Sequence, residues 1–258
     1  MRGNRKYMKN KAIPIVLAAV MLMTGGCGRE EVRSEADEIR QMEAYYDSIK
    51  TYLPDGDTLD FASLQTINPD IHAWIEIPGS AVDYPVLQNP SDDELYLYTA
   101  CDGSEYIGGS VFSQASYNAA DFNDPVTVLY GNAMWDGTMF GGLQMLYSGA
   151  EAMEEHSEIT VYLPEETRQY TVFACIPYDD THILYTYDFT DVYWYDNFFY
   201  NASKIRSIGA YFNEELTPVY GDRVIILSTS LQNGSEDGRF LVMAVLHDDI
   251  AGNTGGAS

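Results

Sequence analysis

Two apolar, β-branched runs near the C-terminus constrain this chain most. Residues 223–230 read Arg-Val-Ile-Ile-Leu-Ser-Thr-Ser and residues 239–246 read Arg-Phe-Leu-Val-Met-Ala-Val-Leu, with a turn-rich stretch of Asn, Gly, Ser and Asp between them. Short apolar runs bounded by turn residues predict a β-hairpin. The first strand ends in small hydroxyl residues, Ser228, Thr229 and Ser230. The second opens on Arg239, a charge that no apolar packing requires.

Further strands are expected at short intervals along the chain: 73–77, 82–87, 110–112, 126–130, 159–163 and 169–176, each stopped by Pro, Gly or polar residues. Helices are expected at 30–53, 61–66, 139–155 and 191–216. In the first, Ile39, Met42, Tyr45, Tyr46 and Ile49 form one apolar stripe, so it reads as a spacer that packs back onto the domain. In the last, Tyr193, Trp194, Phe198, Phe199, Ile205, Ile208 and Phe212 make a broad aromatic face, which is the signature of core packing. About eight short strands with inserted helices predict a mainly β fold, a closed or partly closed eight-stranded barrel. With 46% hydrophobic and 13% aromatic residues the chain has enough apolar surface for such a core.

The net charge is −25, and five of the fourteen basic residues lie in the first eleven positions. Without those five the balance falls to −30 (nine basic against 39 acidic). Nucleic acid is excluded as a partner, because phosphate binding needs a basic footprint. The basic start, the apolar run 12–23 and the small residues before Cys27 resemble a bacterial lipoprotein signal, although Thr24 stands where that pattern usually has leucine. The apolar run is short for a spanning helix. The resemblance implies a leader of residues 1–27 with lipid on Cys27, a helical spacer over 28–57, a folded domain over 58–247 and a flexible tail over 248–258. It places the domain outside the cytoplasmic membrane, on the cell envelope.

Of the remaining cysteines, Cys175 sits in an apolar strand and Cys101 among polar residues; whether they are bridged is open. The histidines suggest no metal or cofactor. His156 ends a helix, and His182 lies near Asp179, Asp180 and Asp188 without ligand spacing. His72 and His247 are expected at the surface.

Several phrases in collinear order resemble the class B sortases. These are Ile-Asn-Pro-Asp-Ile at 67–71, Trp-Ile-Glu-Ile-Pro-Gly at 74–79, Asp-Tyr-Pro-Val at 83–86 and Tyr-Gly-Asn-Ala-Met at 130–134. Leu-Ser-Thr-Ser at 227–230 and Arg239 complete the set. The match covers roughly 67–246, and the long helix before the last strand pair fits class B. The resemblance implies a membrane-anchored transpeptidase barrel, in which a cysteine attacks a sorting peptide, a histidine moves protons and an arginine steadies the oxyanion or the peptide. By position these fall on Ser230, Asn132 and Arg239, so only the arginine is kept; Thr229 and Arg239 are the implied peptide-groove residues.

A serine hydroxyl needs an adjacent base to attack, and a carboxamide is not one. The expected function is therefore a catalytically inactive, lipid-anchored sortase-like protein of the cell wall. It would bind an extended sorting-type peptide of a surface protein, or assist an active sortase in surface-protein anchoring. Two alternatives stay open. One is a transpeptidase or peptidase using Ser230 with another base, for which Asp136 is close to Asn132 in sequence. The other is a structural envelope lipoprotein whose groove is filled by side chains.

Overall fold

The computed structural model describes residues 34–53, 58–232 and 237–247. Cys27, the leader and the tail 248–258 lie outside the described residues. The strands are β1 (Ile71–Glu76), β2 (Asp83–Leu87), β3 (Val111–Phe112), β4 (Val126–Tyr130), β5 (Glu158–Tyr162), β6 (Thr167–Tyr178), β7 (Tyr211–Phe212), β8 (Val224–Ser230) and β9 (Arg239–Leu246). They pair in the order β5-β1-β2-β3-β4-β8-β9-β6, and β5 also pairs with β6, so eight strands close into a barrel. Closure removes the open sheet edges that invite unwanted pairing. The short β7 hangs on β6 outside the ring. All neighbours in the ring run antiparallel except β2–β3 and β4–β8.

The unbroken apolar runs of β8 and β9 follow from burial on both faces. Ile225 and Leu227 of β8, with Phe240, Val242 and Ala244 of β9, join the barrel core around Trp74, Phe112 and Phe140. The alternate residues Val224, Ile226, Leu241, Met243 and Val245 join a second core with Phe173, Phe198 and Phe199. That second core lies under helix α6 (Val192–Ala202), one of six α-helices among the described residues. The others are α1 (Glu35–Ile49), α2 (Phe61–Ile67), α3 (Leu143–Leu146), α4 (Ala150–Glu155) and α5 (Ile183–Thr186). In α6 the side chain of Asp191 caps the start by accepting from Tyr193 N, and Tyr195, Phe198, Phe199 and Ala202 are buried at helical spacing. Among the described residues no helix is long and apolar enough to cross a membrane.

Two helices differ from expectation. The helix expected over 191–216 ends at Ala202. The chain then turns through Gly209 at φ +85° and Phe212 pairs with Ala174 of β6 as part of β7, leaving Ile208 fully exposed. A strand partner and the Phe173 ring, 5.6 Å from that of Phe212, claim the apolar residues that periodicity assigned to the helix. The helix expected over 139–155 is two short helices, α3 and α4, separated at residues 147–149. Met139 lies outside them in a left-handed conformation, φ +52°. Cys101 and Cys175 are both free and fully buried, Cys101 contrary to the polar setting its neighbours suggested.

Helix α1 docks on the barrel as its stripe requires. Ile39, Tyr46 and Ile49 are buried, and Lys50 just beyond it reaches Glu76 at 2.8 Å and Asp83 at 2.7 Å. Glu43 in the same helix accepts from the Tyr84 hydroxyl at 2.9 Å, while its Oε1 is buried with no hydrogen-bond partner among the described residues. Burial, aided by Asp136, Asp47 and Asp83, pushes the Glu43 carboxyl up to about 7 against the pull of that Tyr84 bond. Since the folded value is raised, the stability it contributes is present below about pH 4.5 and is lost as pH rises through about 7. Urea denaturation at pH 5 and pH 8 should show Glu43→Gln removing roughly 1–3 kcal/mol of the wild-type loss between those values. An unchanged pH slope would refute the buried-carboxylate account.

Candidate functional site

The parallel β4–β8 ladder builds the site. Tyr130 pairs with Ser228, and Gly131 N donates to the Ser228 carbonyl at 3.2 Å. Two residues beyond Tyr130 and two beyond Ser228, the parallel chains carry Asn132 and Ser230 level with each other. Across the antiparallel β8–β9 pair, Ser230 stands opposite Arg239. Strand alternation gives Ser228, Ser230 and Arg239 the side of the sheet that carries Val224, Ile226 and Leu241 under α6. Gly131 is required at its position because a Cβ there would lie 2.6 Å from the Phe140 ring.

Asn132, Thr229, Ser230 and Arg239 all line one open groove of about 420 Å³. Its other walls include Phe112, Tyr130 and Tyr178, the loop Asp179-Asp180-Thr181 after β6, His182, and Glu94 before the 3-10 turn Leu95–Leu97. Ser230 is exposed, and among the described residues none hydrogen-bonds its hydroxyl. Thr229, one position earlier, is buried with its Oγ1 unpartnered among the described residues. The half-buried Arg239 donates from Nη1 to the Gly238 carbonyl at 3.1 Å and forms no ion pair with Asp237. Glu236, its other carboxylate neighbour, lies outside the described residues.

Asn132 has work of its own. Its Nδ2 donates to the Leu97 carbonyl at 2.7 Å and to the Ile107 carbonyl at 3.3 Å, strapping the segment between β2 and β3 to the end of β4. Asp136 does not reach the groove; it caps its own turn by accepting from Thr138 N and Oγ1, and lines a different hollow with Trp135 and Gly137.

Sequence reasoning missed the role of the 179–182 stretch in the groove wall. Its clustered acids and His182 were visible, but their place depends on where β6 ends. His182 Nδ1 accepts from Tyr185 N at 3.1 Å, so Nε2 bears the proton and donates to Gln114 Oε1 at 2.9 Å. Burial holds this imidazole below the usual histidine range, so it is neutral near pH 7. Among the described residues no cluster of His, Cys, Asp and Glu has the arrangement of a metal site. His72 is not a free surface residue: Nδ1 lies 2.8 Å from the Ala120 carbonyl and Nε2 3.2 Å from Ser113 Oγ. His156 caps the end of α4, its N–H on the Ala152 carbonyl, as its position implied.

No family model matches the chain. Sortase B of Listeria monocytogenes is 27% identical over 258 residues, covering 93% of this chain and 98% of the relative. Sortase B of Staphylococcus aureus is 28% identical over 183 residues, 71% of this chain and 72% of the relative. Among solved structures, sortase B from Bacillus anthracis superposes with a TM-score of 0.65 at 26% identity, covering 82% of this chain and 97% of that one. This protein is class B sortase-like. A Staphylococcus aureus sortase B–substrate complex superposes with a TM-score of 0.62 at 25% identity, covering 81% of this chain and 93% of that one.

Within the sortase-like barrel, the Asn132 strap makes a stability claim that is independent of any ligand. Asn132→Ala, which removes two hydrogen bonds to backbone carbonyls, should cost about 1–2 kcal/mol in urea denaturation. Asn132→Asp should cost at least as much, since it turns a donor into an acceptor facing two carbonyl oxygens. A neutral result for both would mean that Asn132 does not hold the 97–107 segment.

Proposed function

We propose that this sortase-like protein holds an extended peptide in the groove and does not cleave it. The observation that carries the reading is that no side chain among the described residues hydrogen-bonds the Ser230 hydroxyl as a base. Asn132, two residues past the end of β4, is a carboxamide already spent on two backbone carbonyls, and both nitrogens of the neutral His182 in the same groove are engaged. A serine hydroxyl without a hydrogen-bonded base is a poor nucleophile, and losing acid–base help alone costs typically about 10²–10⁴ in rate. Open space beside the strand ends, with Arg239 in its wall, suits an extended peptide and counts against a structural protein with a filled groove. In this reading the protein is tethered to the outer face of the cytoplasmic membrane by lipid on Cys27, and it presents or retains sorting-type peptides of surface proteins, alone or beside an active sortase.

A quenched fluorogenic sorting-type peptide should be bound but left intact by the wild-type protein, and Ser230→Ala should change neither result. Turnover abolished by Ser230→Ala would overturn the reading in favour of a serine transpeptidase or peptidase. The double variant Asn132→His, Ser230→Cys restores nucleophile and imidazole together, and slow cleavage is expected from it. Because histidine cannot reproduce both carbonyl bonds of Asn132, its melting curve must accompany the assay. For the anchor, Cys27→Ala should shift the protein from the membrane fraction to the medium; unchanged membrane retention would speak for an uncleaved leader helix.

A further inference from the structure

The groove carries a charge pattern that the peptide-binding reading does not by itself demand. The loop that follows β6 projects Asp179 and Asp180 into its wall, and Glu94 faces it from the segment before β3. All three are exposed, and among the described residues none of their carboxylates is in an ion pair. Asp179 Oδ1 accepts from Thr181 N at 2.9 Å, which fixes the turn. The cation lining the groove is Arg239, at the strand end beside Ser230; His182, kept neutral by burial, adds no charge near pH 7. Among the described residues of the lining, carboxylates therefore outnumber cations. The half-buried rings of Tyr130 and Tyr178 line the same groove and offer apolar surface against which an alkyl stem packs favourably.

The geometry points to a cationic peptide as the occupant: an extended segment whose lysine or arginine lies along the tyrosine faces with its charge between Asp179, Asp180 and Glu94. The inference rests on the peptide-binding reading and adds the class of side chain that the groove selects. Its neighbour Arg239 is left for a backbone carbonyl or a carboxylate of the same peptide, so the groove reads polarity along the chain, acceptor groups at the Ser230 end and a cation toward the β6 loop. Charge complementarity of this kind sets selectivity and encounter rate more than total affinity.

The protein is acidic throughout, so the test separates this groove from the general field. Three terminally blocked, fluorescein-labelled sorting-type peptides, differing at one position as Lys, norleucine or Glu, are titrated by anisotropy against the full chain, at 50 and 300 mM NaCl. The Lys peptide should bind about fivefold or more tighter than norleucine, with Glu weakest, and the difference should shrink at high salt. Asp179→Asn with Asp180→Asn should abolish most of that preference, bringing the Lys-to-norleucine affinity ratio close to one. Neutralising the remote exposed pair, Glu154→Gln with Glu155→Gln, should leave it intact. Equal affinity for Lys and norleucine peptides, or the same loss from both acidic pairs, would overturn the cationic selectivity and spare peptide binding. Absence of binding by all three peptides would overturn the peptide-binding reading and this inference with it.

Discussion

The parallel ladder between β4 and β8 is the constraint on which the site depends. Strands adjacent in space and parallel cannot be joined by a tight turn, so the chain must travel away from β4 and come back before β8 can pair. Here the excursion runs from Gly131 to Arg223 and contains β5, β6 and every helix from α3 to α6. Its return sets the ends of two remote strands level, and the hairpin partner β9 then supplies Arg239 across from Ser230. A one-residue slip in the β4–β8 pairing would turn the side chain of Ser230 to the opposite face. Burial on both faces of β8 and β9 guards against that slip, because it would move Val224 and Ile226 out of one core and Ile225 and Leu227 out of the other.

Chemistry at those strand ends is limited by what each polar group already holds. Asn132 is satisfied by carbonyls of a neighbouring segment, and His182 by Gln114 and the start of α5. The groove walls thus owe their definition to the side chains that a reaction would need free. Ser230 and Arg239 remain open to a ligand, one as a small hydroxyl and the other as a directional donor. Such a site favours recognition over bond breaking, since fixed donors and exposed carboxylates bind without a proton-transfer partner.

The docked N-terminal helix shows a different balance. Lys50 has two carboxylate partners, and although burial works against its charge, the bonds to Asp83 and Glu76 hold its pKa above the ordinary lysine value. Trp74 also donates to Asp83, at 2.6 Å, so β1, β2 and the end of α1 share one polar knot. A few residues away half-buried Glu43 holds one oxygen, Oε1, out of solvent and unpaired among the described residues. The helix is held by its apolar stripe and by the knot at its end, and pays at Glu43.

Local pattern was enough to mark the eight strands of the ring and the stripe of α1, because strand and helix periods are written in neighbouring residues. The runs ending in Tyr130 and Ser230 were also legible as strands, and the structure lines one groove with Asn132, Ser230 and Arg239. Periodicity alone overran α6, because Phe212 finds its partner in β6, a contact across about forty residues of chain that no local window contains. The same limit hid what Asn132 holds, the burial of Cys101, the bonding of His72 and the entry of Asp179 and Asp180 into the groove wall. Each of these is decided by which remote backbone carbonyl, ring or strand end lies within reach, and only closure of the barrel sets those distances.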